Sequence, residues 1–275
     1  MSSPNQAQTK ALVDTSVLTN ALLKPSLEGR AATTAIKSFA ESQLPQYAIK
    51  EFKAGPLRSY VWFHNKVISC ANWEDAVNAI SLIWRRHNLQ STALRALADF
   101  QSSISKQMPA NLLQQYPNQT LGEIQRAEAI LWLKIAVFRA WRNRGKLTTR
   151  VVSRLPCYQD CDPQVEPNGR IDDRPVVCGA DDCSLRASFR NRTAELDALI
   201  SACDQLPKKS ETDKRRQALR QLRRFPDRPF EEKHCRALGD AVFALQCPKD
   251  AVIITTNLVD HGPLALAVGV SAISP

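Results

Sequence analysis

A chain of 275 residues that is 44% hydrophobic and 23% charged has the composition of a globular protein with one or two cores. Its longest apolar stretch, residues 129–141, is interrupted by Lys134 and Arg139 and is far shorter than the ~20 residues that cross a bilayer, which excludes a membrane-spanning helix. The net charge of +10 predicts a polyanionic partner, because clustered Lys and Arg gain affinity for phosphate by releasing counterions. Nucleic acid is the favoured partner, and an anionic membrane surface is the alternative.

The N-terminal residues lack the charged start and apolar run of a secretory signal, which predicts a cytoplasmic protein. In that compartment the eight cysteines are expected to be free thiols or metal ligands rather than disulfides.

The chain begins with alternating strand and helix. Residues 10–14 form an apolar run that ends in Asp14, and Thr15 and Ser16 suit a helix N-cap, so a strand, a tight turn and a helix are predicted. A second helix is predicted over residues 30–42, and a helical segment after Pro45 carries Glu51.

Residues 57–231 break this alternation and are predicted to form a mainly helical insertion. Within it, Thr120 and Glu123 form a capping box before a long helix that ends near Arg144.

The end of the chain resumes the alternation. The pattern predicts a helix over 232–246, a buried strand over 251–256, a loop over 257–260, a short helix over 263–268 and a last strand over 270–273. The two ends, residues 10–56 and 232–275, are therefore predicted to form one α/β domain with a parallel sheet.

Three acidic residues stand out at the two ends of the chain. Asp14 follows the first strand, at the edge where open parallel sheets bind ligands, although an Asp before a helix is also a common cap. Glu51 and Asp240 are flanked by residues that must face a core, where an unpaired carboxylate is costly. Together they offer the oxygen ligands that a hard divalent ion prefers.

The order and context of these segments resemble the PIN-domain family of nucleases. The resemblance lies in residues 11–18, 50–52, 239–244, 254–260 and 269–275, and it covers about a third of the chain. It implies an α/β/α sandwich with a central parallel sheet, a pocket that binds Mg²⁺ or Mn²⁺, and hydrolysis of phosphodiester bonds in RNA, less often in DNA. Asp14, Glu51 and Asp240 match the family's metal-ligand positions.

The chain departs from the family's pattern at two positions. Asn257 stands where many members carry a further acid, so Asn257 or Asp260 is expected to complete the ligand shell, and sites for one ion or two are both open. His261 follows Asp260 where a Phe is usual; a surface loop residue is the favoured interpretation, and contact with substrate is the alternative.

Four cysteines form two close pairs in the loop-rich segment 155–185. Two thiol pairs favour a structural Zn²⁺ site, with unligated thiols as the alternative because the commoner gap within a pair is two residues. The predicted zinc ligands are Cys157, Cys161, Cys178 and Cys183.

Residues 208–236 contain eleven Lys or Arg against five Asp or Glu, a local net charge of +6. Their spacing places them on one helix face directly before Asp240, which predicts a phosphate-binding rim, with a solvated helix face as the alternative. The predicted substrate-binding residues are Thr15, Ser16, Lys214, Arg215, Arg216, Arg220, Arg223 and Arg224.

The sequence thus predicts a Mg²⁺- or Mn²⁺-dependent ribonuclease, a function used by toxins, defence effectors and RNA-processing enzymes; a toxin would also have an inhibitory protein partner. The alternatives are a catalytically weak PIN-fold scaffold that binds RNA or protein, a DNA-directed nuclease and an α/β nucleotide-binding module. Against the last, no glycine-rich phosphate loop follows the first strand.

Overall fold

Five parallel strands form a single sheet in the order β3–β2–β1–β4–β5. A computed structural model describes residues 9–24, 26–83, 87–107, 117–153, 155, 158, 161–172, 174, 184–207, 209–227 and 232–275. The strands are β1 (Lys10–Val13), β2 (Glu41–Pro45), β3 (Arg150–Val152), β4 (Ala251–Ile254) and β5 (Ser271–Ile273). The predicted α/β class, with a central parallel sheet flanked by helices, is confirmed.

Helices lie between the strands along the chain. Among the described residues, no helix is long and apolar enough to cross a lipid bilayer. The helices of the described residues are α1 (Thr15–Leu23), α2 (Leu27–Lys37), α3 (Gln46–Phe52), α4 (Arg58–Ser69), α5 (Trp73–Ser81), α6 (His87–Gln107), α7 (Leu121–Asn143), α8 (Ser184–Arg190), α9 (Thr193–Gln205), α10 (Ser210–Arg224), α11 (Glu232–Gln246) and α12 (Leu258–Ala267), with one turn of π-helix at Lys53–Leu57. The predicted capping box of Thr120 and Glu123 is present at the start of α7.

Apart from Lys10, the neighbouring strands β1 and β4 consist of apolar residues, as expected where both faces of a sheet are covered. All four residues of β4 are buried, and in β1 Ala11, Leu12 and Val13 have no exposed surface. The strands pair in register from Lys10 opposite Ala251 to Val13 opposite Ile254. Both strands therefore end at the same level of the sheet.

The order of the strands reverses between β1 and β4. After β1 the chain builds β2 and β3 on one side, and it then returns to place β4 and β5 on the other. In open parallel sheets such a reversal leaves a crevice outside the carboxyl ends of the two strands, and ligands bind there. Asp14, directly after β1, and Thr255, directly after β4, stand at this crevice.

Two predicted elements were wrong at their boundaries. The helix expected over residues 30–42 ends at Lys37, and β2 begins at Glu41. The loop expected over residues 257–260 is the first turn of α12, which begins at Leu258. The sheet also takes β3 from within residues 57–231, where only an insertion was expected, and β3 pairs with β2.

Gly29 allows α2 to lie against the end of α1. A Cβ atom at this position would lie 1.9 Å from the backbone oxygen of Lys24 and 2.9 Å from that of Asn20. Because backbone atoms cannot turn aside as a flexible side chain can, we expect Gly29→Ala to lower the free energy of unfolding by about 2 kcal/mol. Urea unfolding measures this loss. Gly145→Ala is the control, because a Cβ there meets nothing within 4 Å; equal losses in both variants would contradict the close approach.

Candidate active site

Asp14 is held in one orientation by donors from two segments, the start of α1 and the residue that follows β4. Its side chain caps α1, with Oδ1 accepting a hydrogen bond from the Thr15 backbone N–H at 2.7 Å. Oδ2 accepts from the Ser16 hydroxyl at 2.5 Å and from the Thr255 hydroxyl at 2.9 Å. The residue is 4% exposed. Asp14 is therefore both a helix cap and a fixed carboxylate at the floor of the crevice, and the hydroxyls of Ser16 and Thr255 position it.

Glu51 joins Asp14 through a shared neighbour. The Thr15 hydroxyl donates to Glu51 Oε2 at 2.7 Å, so consecutive residues of α1 hold both acids. Burial raises the pKa of Glu51 to about 7, and the nearby charges of Asp14 and Asp240 add to the effect. Across the crevice, a Cβ on Gly239 would lie 3.1 Å from Glu51 Oε1. A glycine at this position lets α11 come close to the acid.

Asp240, on α11, meets a basic side chain at each of its carboxylate oxygens. His261 Nε2 lies 3.1 Å from Oδ1, and Arg215 Nη2 forms an ion pair with Oδ2. Burial alone would raise the pKa of Asp240, but the hydrogen bond from His261 and the charges of His261 and Arg215 outweigh it and lower the pKa. Asp240 is therefore a stable carboxylate.

His261 connects Asp240 to Asp14. Its Nε2 lies 3.6 Å from Asp14 Oδ1, and the residue is 1% exposed, so its interpretation as a surface loop residue was wrong. Burial lowers the pKa of an imidazole, but the hydrogen bond to Asp240 and the charges of both acids raise that of His261 overall. The helical spacing of His261 with the buried Leu264 and Ala265 was a signal for its inward position.

The three predicted acids meet in one cavity. Asp14, Glu51 and Asp240 all line a cleft of about 750 Å³, although they come from the start of α1, from α3 and from α11. A second cleft of about 980 Å³ adjoins it and shares Glu51, Asp240 and Asn257 with the first. The acids thus lie between two open spaces at the carboxyl edge of the sheet.

Comparison of the chain with protein-family models, curated proteins and solved structures found no match.

Asn257 and Asp260 lie on the side of the second cleft and bond to each other. The Asn257 side-chain amide donates to Asp260 Oδ2 at 2.9 Å, and its backbone N–H donates to the Thr255 hydroxyl at 3.0 Å. Both residues line the second cleft, and Asn257 lines the first as well. They are therefore close to the three acids, and the amide of Asn257 acts here as a hydrogen-bond donor.

The spacing of the basic residues of α10 predicted that they share one helix face, and this prediction was wrong. Arg215 is 7% exposed and turns inward to Asp240, whereas Lys214 is exposed and lines the second cleft. The others point away from the acids toward α9 or solvent: Arg216 and Arg220 pair with Asp204, Arg223 pairs with Asp197, and the exposed Arg224 lies over the ring of Phe225. Lys214 and Arg215 are thus the members of this set that line the cleft.

The zinc site stays a prediction. Cys157, Cys178 and Cys183 lie outside the described residues, and Cys161 is an exposed free thiol. Within the ranges that the structure describes, no group of three or more His, Cys, Asp or Glu side chains is arranged as a ready metal site. For the acidic cleft this agrees with the direct contacts of Asp240, whose oxygens face His261 and Arg215.

Proposed function

We propose that the protein is a divalent-metal-dependent nuclease of the PIN type. The observation that carries the proposal is the convergence of Asp14, Glu51 and Asp240 in one cleft at the point where the strand order reverses. The three acids are separated by up to 226 positions in the sequence (240 − 14), so neither local structure nor helix capping accounts for their meeting. Open parallel sheets bind their ligands at this location.

The donor set fits a hard cation. Carboxylate oxygens together with the hydroxyls of Thr15 and Ser16 are the ligands that Mg²⁺ and Mn²⁺ prefer. With a pKa of about 7 at Glu51, the cleft resists a further negative charge, and a bound cation relieves that cost. Asp14 and Glu51 would hold the ion, with Asp240 beside it. When bound, such an ion polarises a phosphate and lowers the pKa of an attacking water.

The protein's own residues would orient the substrate. Lys214 is exposed on the wall of the second cleft, where its ammonium group can pair with a phosphate of the chain that enters. The Thr15 and Ser16 hydroxyls fix Glu51 and Asp14, so the acids keep their positions when a charged substrate arrives. RNA is the proposed substrate because the motif resemblance implies it, and the net charge of +10 suits either nucleic acid.

A scaffold that binds nucleic acid without cleaving it is the second candidate. One observation favours it: both oxygens of Asp240 already have basic partners in the protein, Arg215 and His261. A carboxylate with such partners needs no metal ion to be stable in a buried site. If the protein cleaves RNA as a toxin does, we propose that it also has an inhibitory protein partner.

Removal of the metal ion separates the two candidates. We expect the protein to cleave an end-labelled single-stranded RNA in Mn²⁺ or Mg²⁺, to lose that activity in EDTA, and to regain it when excess Mn²⁺ is added. Single-stranded and duplex DNA of the same sequence test whether DNA is the substrate instead. A mock purification from cells without the gene controls for contaminating nucleases. Cleavage that persists in EDTA would contradict a metal mechanism, and RNA binding without cleavage in either ion would favour the scaffold.

A further inference from the structure

The Arg215 guanidinium forms a buried ion pair with Asp240. The residue is 7% exposed, and its ion pair with Asp240 Oδ2 joins α10 to α11. The Nε and Nη1 atoms are also buried and have no hydrogen-bond partner in the part of the chain that the structure describes. A buried guanidinium with a single carboxylate partner is costly, which makes a purely structural pair a poor explanation for it. The pair makes more sense as part of the charge balance of the cleft.

The other oxygen of Asp240 faces a second basic group. His261 Nε2 lies 3.1 Å from Oδ1, so Asp240 meets a nitrogen of the protein at both oxygens. Beyond Asp240 on the same side, Asn257 brings no charge, and its amide is bonded to Asp260 Oδ2 at 2.9 Å. Both oxygens of Asp240 and one oxygen of Asp260 therefore already have partners at this end of the cleft.

The opposite end of the cleft is different. Glu51 accepts a hydrogen bond from the Thr15 hydroxyl and has no ion-pair partner among the described residues. Asp14 Oδ2 accepts from the neutral hydroxyls of Ser16 and Thr255. Asp14 Oδ1 lies 3.6 Å from His261 Nε2, which is farther than the 3.1 Å between that nitrogen and Asp240 Oδ1. Positive charge is thus supplied by the protein at Asp240 and is missing at Glu51.

We propose that the cleft takes a single divalent cation, on the side of Asp14 and Glu51, and that Arg215 supplies at Asp240 the positive charge that a second ion would otherwise bring, while His261 occupies the other oxygen of Asp240. The inference rests on the proposed function, because it assumes that the cleft binds a divalent ion. It chooses between a one-ion and a two-ion site, which the sequence left open. Arg215 is then a positioning residue, which acts through Asp240 rather than on the substrate.

The number of bound Mn²⁺ ions tests the proposal without an activity assay. Calorimetry and the electron paramagnetic resonance signal of free Mn²⁺ both count ions per chain, and we expect one for the wild-type protein. In Arg215→Gln, Asp240 loses the guanidinium group that pairs with it. We therefore expect the variant to bind a second Mn²⁺ ion, or to bind Mn²⁺ with about tenfold higher affinity. Arg215→Lys keeps the charge and should stay at one ion. Arg220→Gln is the matched control, because Arg220 is exposed and pairs with Asp204, and it should also stay at one ion.

Each result decides something different. Two ions on the wild-type protein, or the same number and affinity within twofold in wild type and Arg215→Gln, would overturn the inference. No ion on the wild-type protein would contradict the proposed metal-dependent function itself, so the two failures are distinguishable. Thermal melting checks that Arg215→Gln is folded. If it is not, Asp240→Asn is measured instead: the ion held by Asp14 and Glu51 should remain, and a count that falls from one ion to none would overturn the inference equally.

Discussion

Replacing Asp14 by Asn is expected to lower the rate of metal-dependent RNA cleavage by on the order of 10³-fold, while the protein stays folded. The substitution removes the negative charge that would hold the ion. The amide oxygen can still accept from the Thr15 N–H, as Oδ1 does at 2.7 Å, so α1 keeps its cap. The hydroxyls of Ser16 and Thr255 can rotate to accept from the amide nitrogen.

The control for this prediction is the same substitution at the other edge of the sheet. Asp250 directly precedes β4, is exposed and pairs with Lys10 at 2.5 Å. We expect Asp250→Asn to cleave RNA at the wild-type rate. Single-turnover rates and thermal melting curves for both variants give the comparison. If Asp14→Asn is folded and cleaves as fast as Asp250→Asn, the catalytic proposal fails.

The central strands were predictable because their own residues require burial, and the strands on the far side of the sheet were not. β4 reads Ala-Val-Ile-Ile, an apolar run typical of a strand that is covered on both faces. β2 contains Glu41, Ser42 and Gln43, and two of the three residues of β3 are exposed. These segments are extended because they hydrogen-bond to neighbours distant in sequence, β2 to β1 and β3 to β2. Local patterns do not carry that information.

The candidate acids were predictable from the same reasoning, and their partners were not. A carboxylate in an apolar segment indicates a site whatever surrounds it, so Asp14, Glu51 and Asp240 could be chosen from the sequence. The type of a basic residue gives no such signal, because Lys and Arg are ordinarily exposed, so only the position of the residue on a helix can indicate that it is buried. For Arg215 a signal did exist: it lies three, four and seven residues before Ala218, Leu219 and Leu222, the buried face of α10. Its partner Asp240 is on another helix, which periodicity cannot reveal.

Replacing Glu51 by Gln is expected to stabilise the metal-free protein at pH 8 by about 2 to 3 kcal/mol. The pKa of Glu51 is raised from 4.5 to about 7 by burial, with Asp14 and Asp240 adding to the effect. The folded protein therefore holds this proton more tightly than the unfolded chain does. The contribution of Glu51 to the free energy of unfolding is fully present below pH 4.5. It is lost as the pH rises through 7, because the carboxylate is then charged while it is buried in the cleft. The amide side chain of the Glu51→Gln variant carries no charge at any pH, so the variant avoids this loss.

Urea unfolding at pH 5, 6, 7 and 8 in EDTA measures the effect as a difference between variant and wild type that grows with pH. Glu74→Gln is the control, because Glu74 is exposed in the first turn of α5, and its difference should be small and the same at every pH. A difference for Glu51→Gln that does not change with pH would contradict the raised pKa.

Mn²⁺ tests where the ion binds. An ion beside Glu51 stabilises the ionised carboxylate, so Mn²⁺ should reduce the stability that Glu51→Gln gains over the wild type at pH 8. An advantage that Mn²⁺ leaves unchanged would mean that the ion binds away from Glu51.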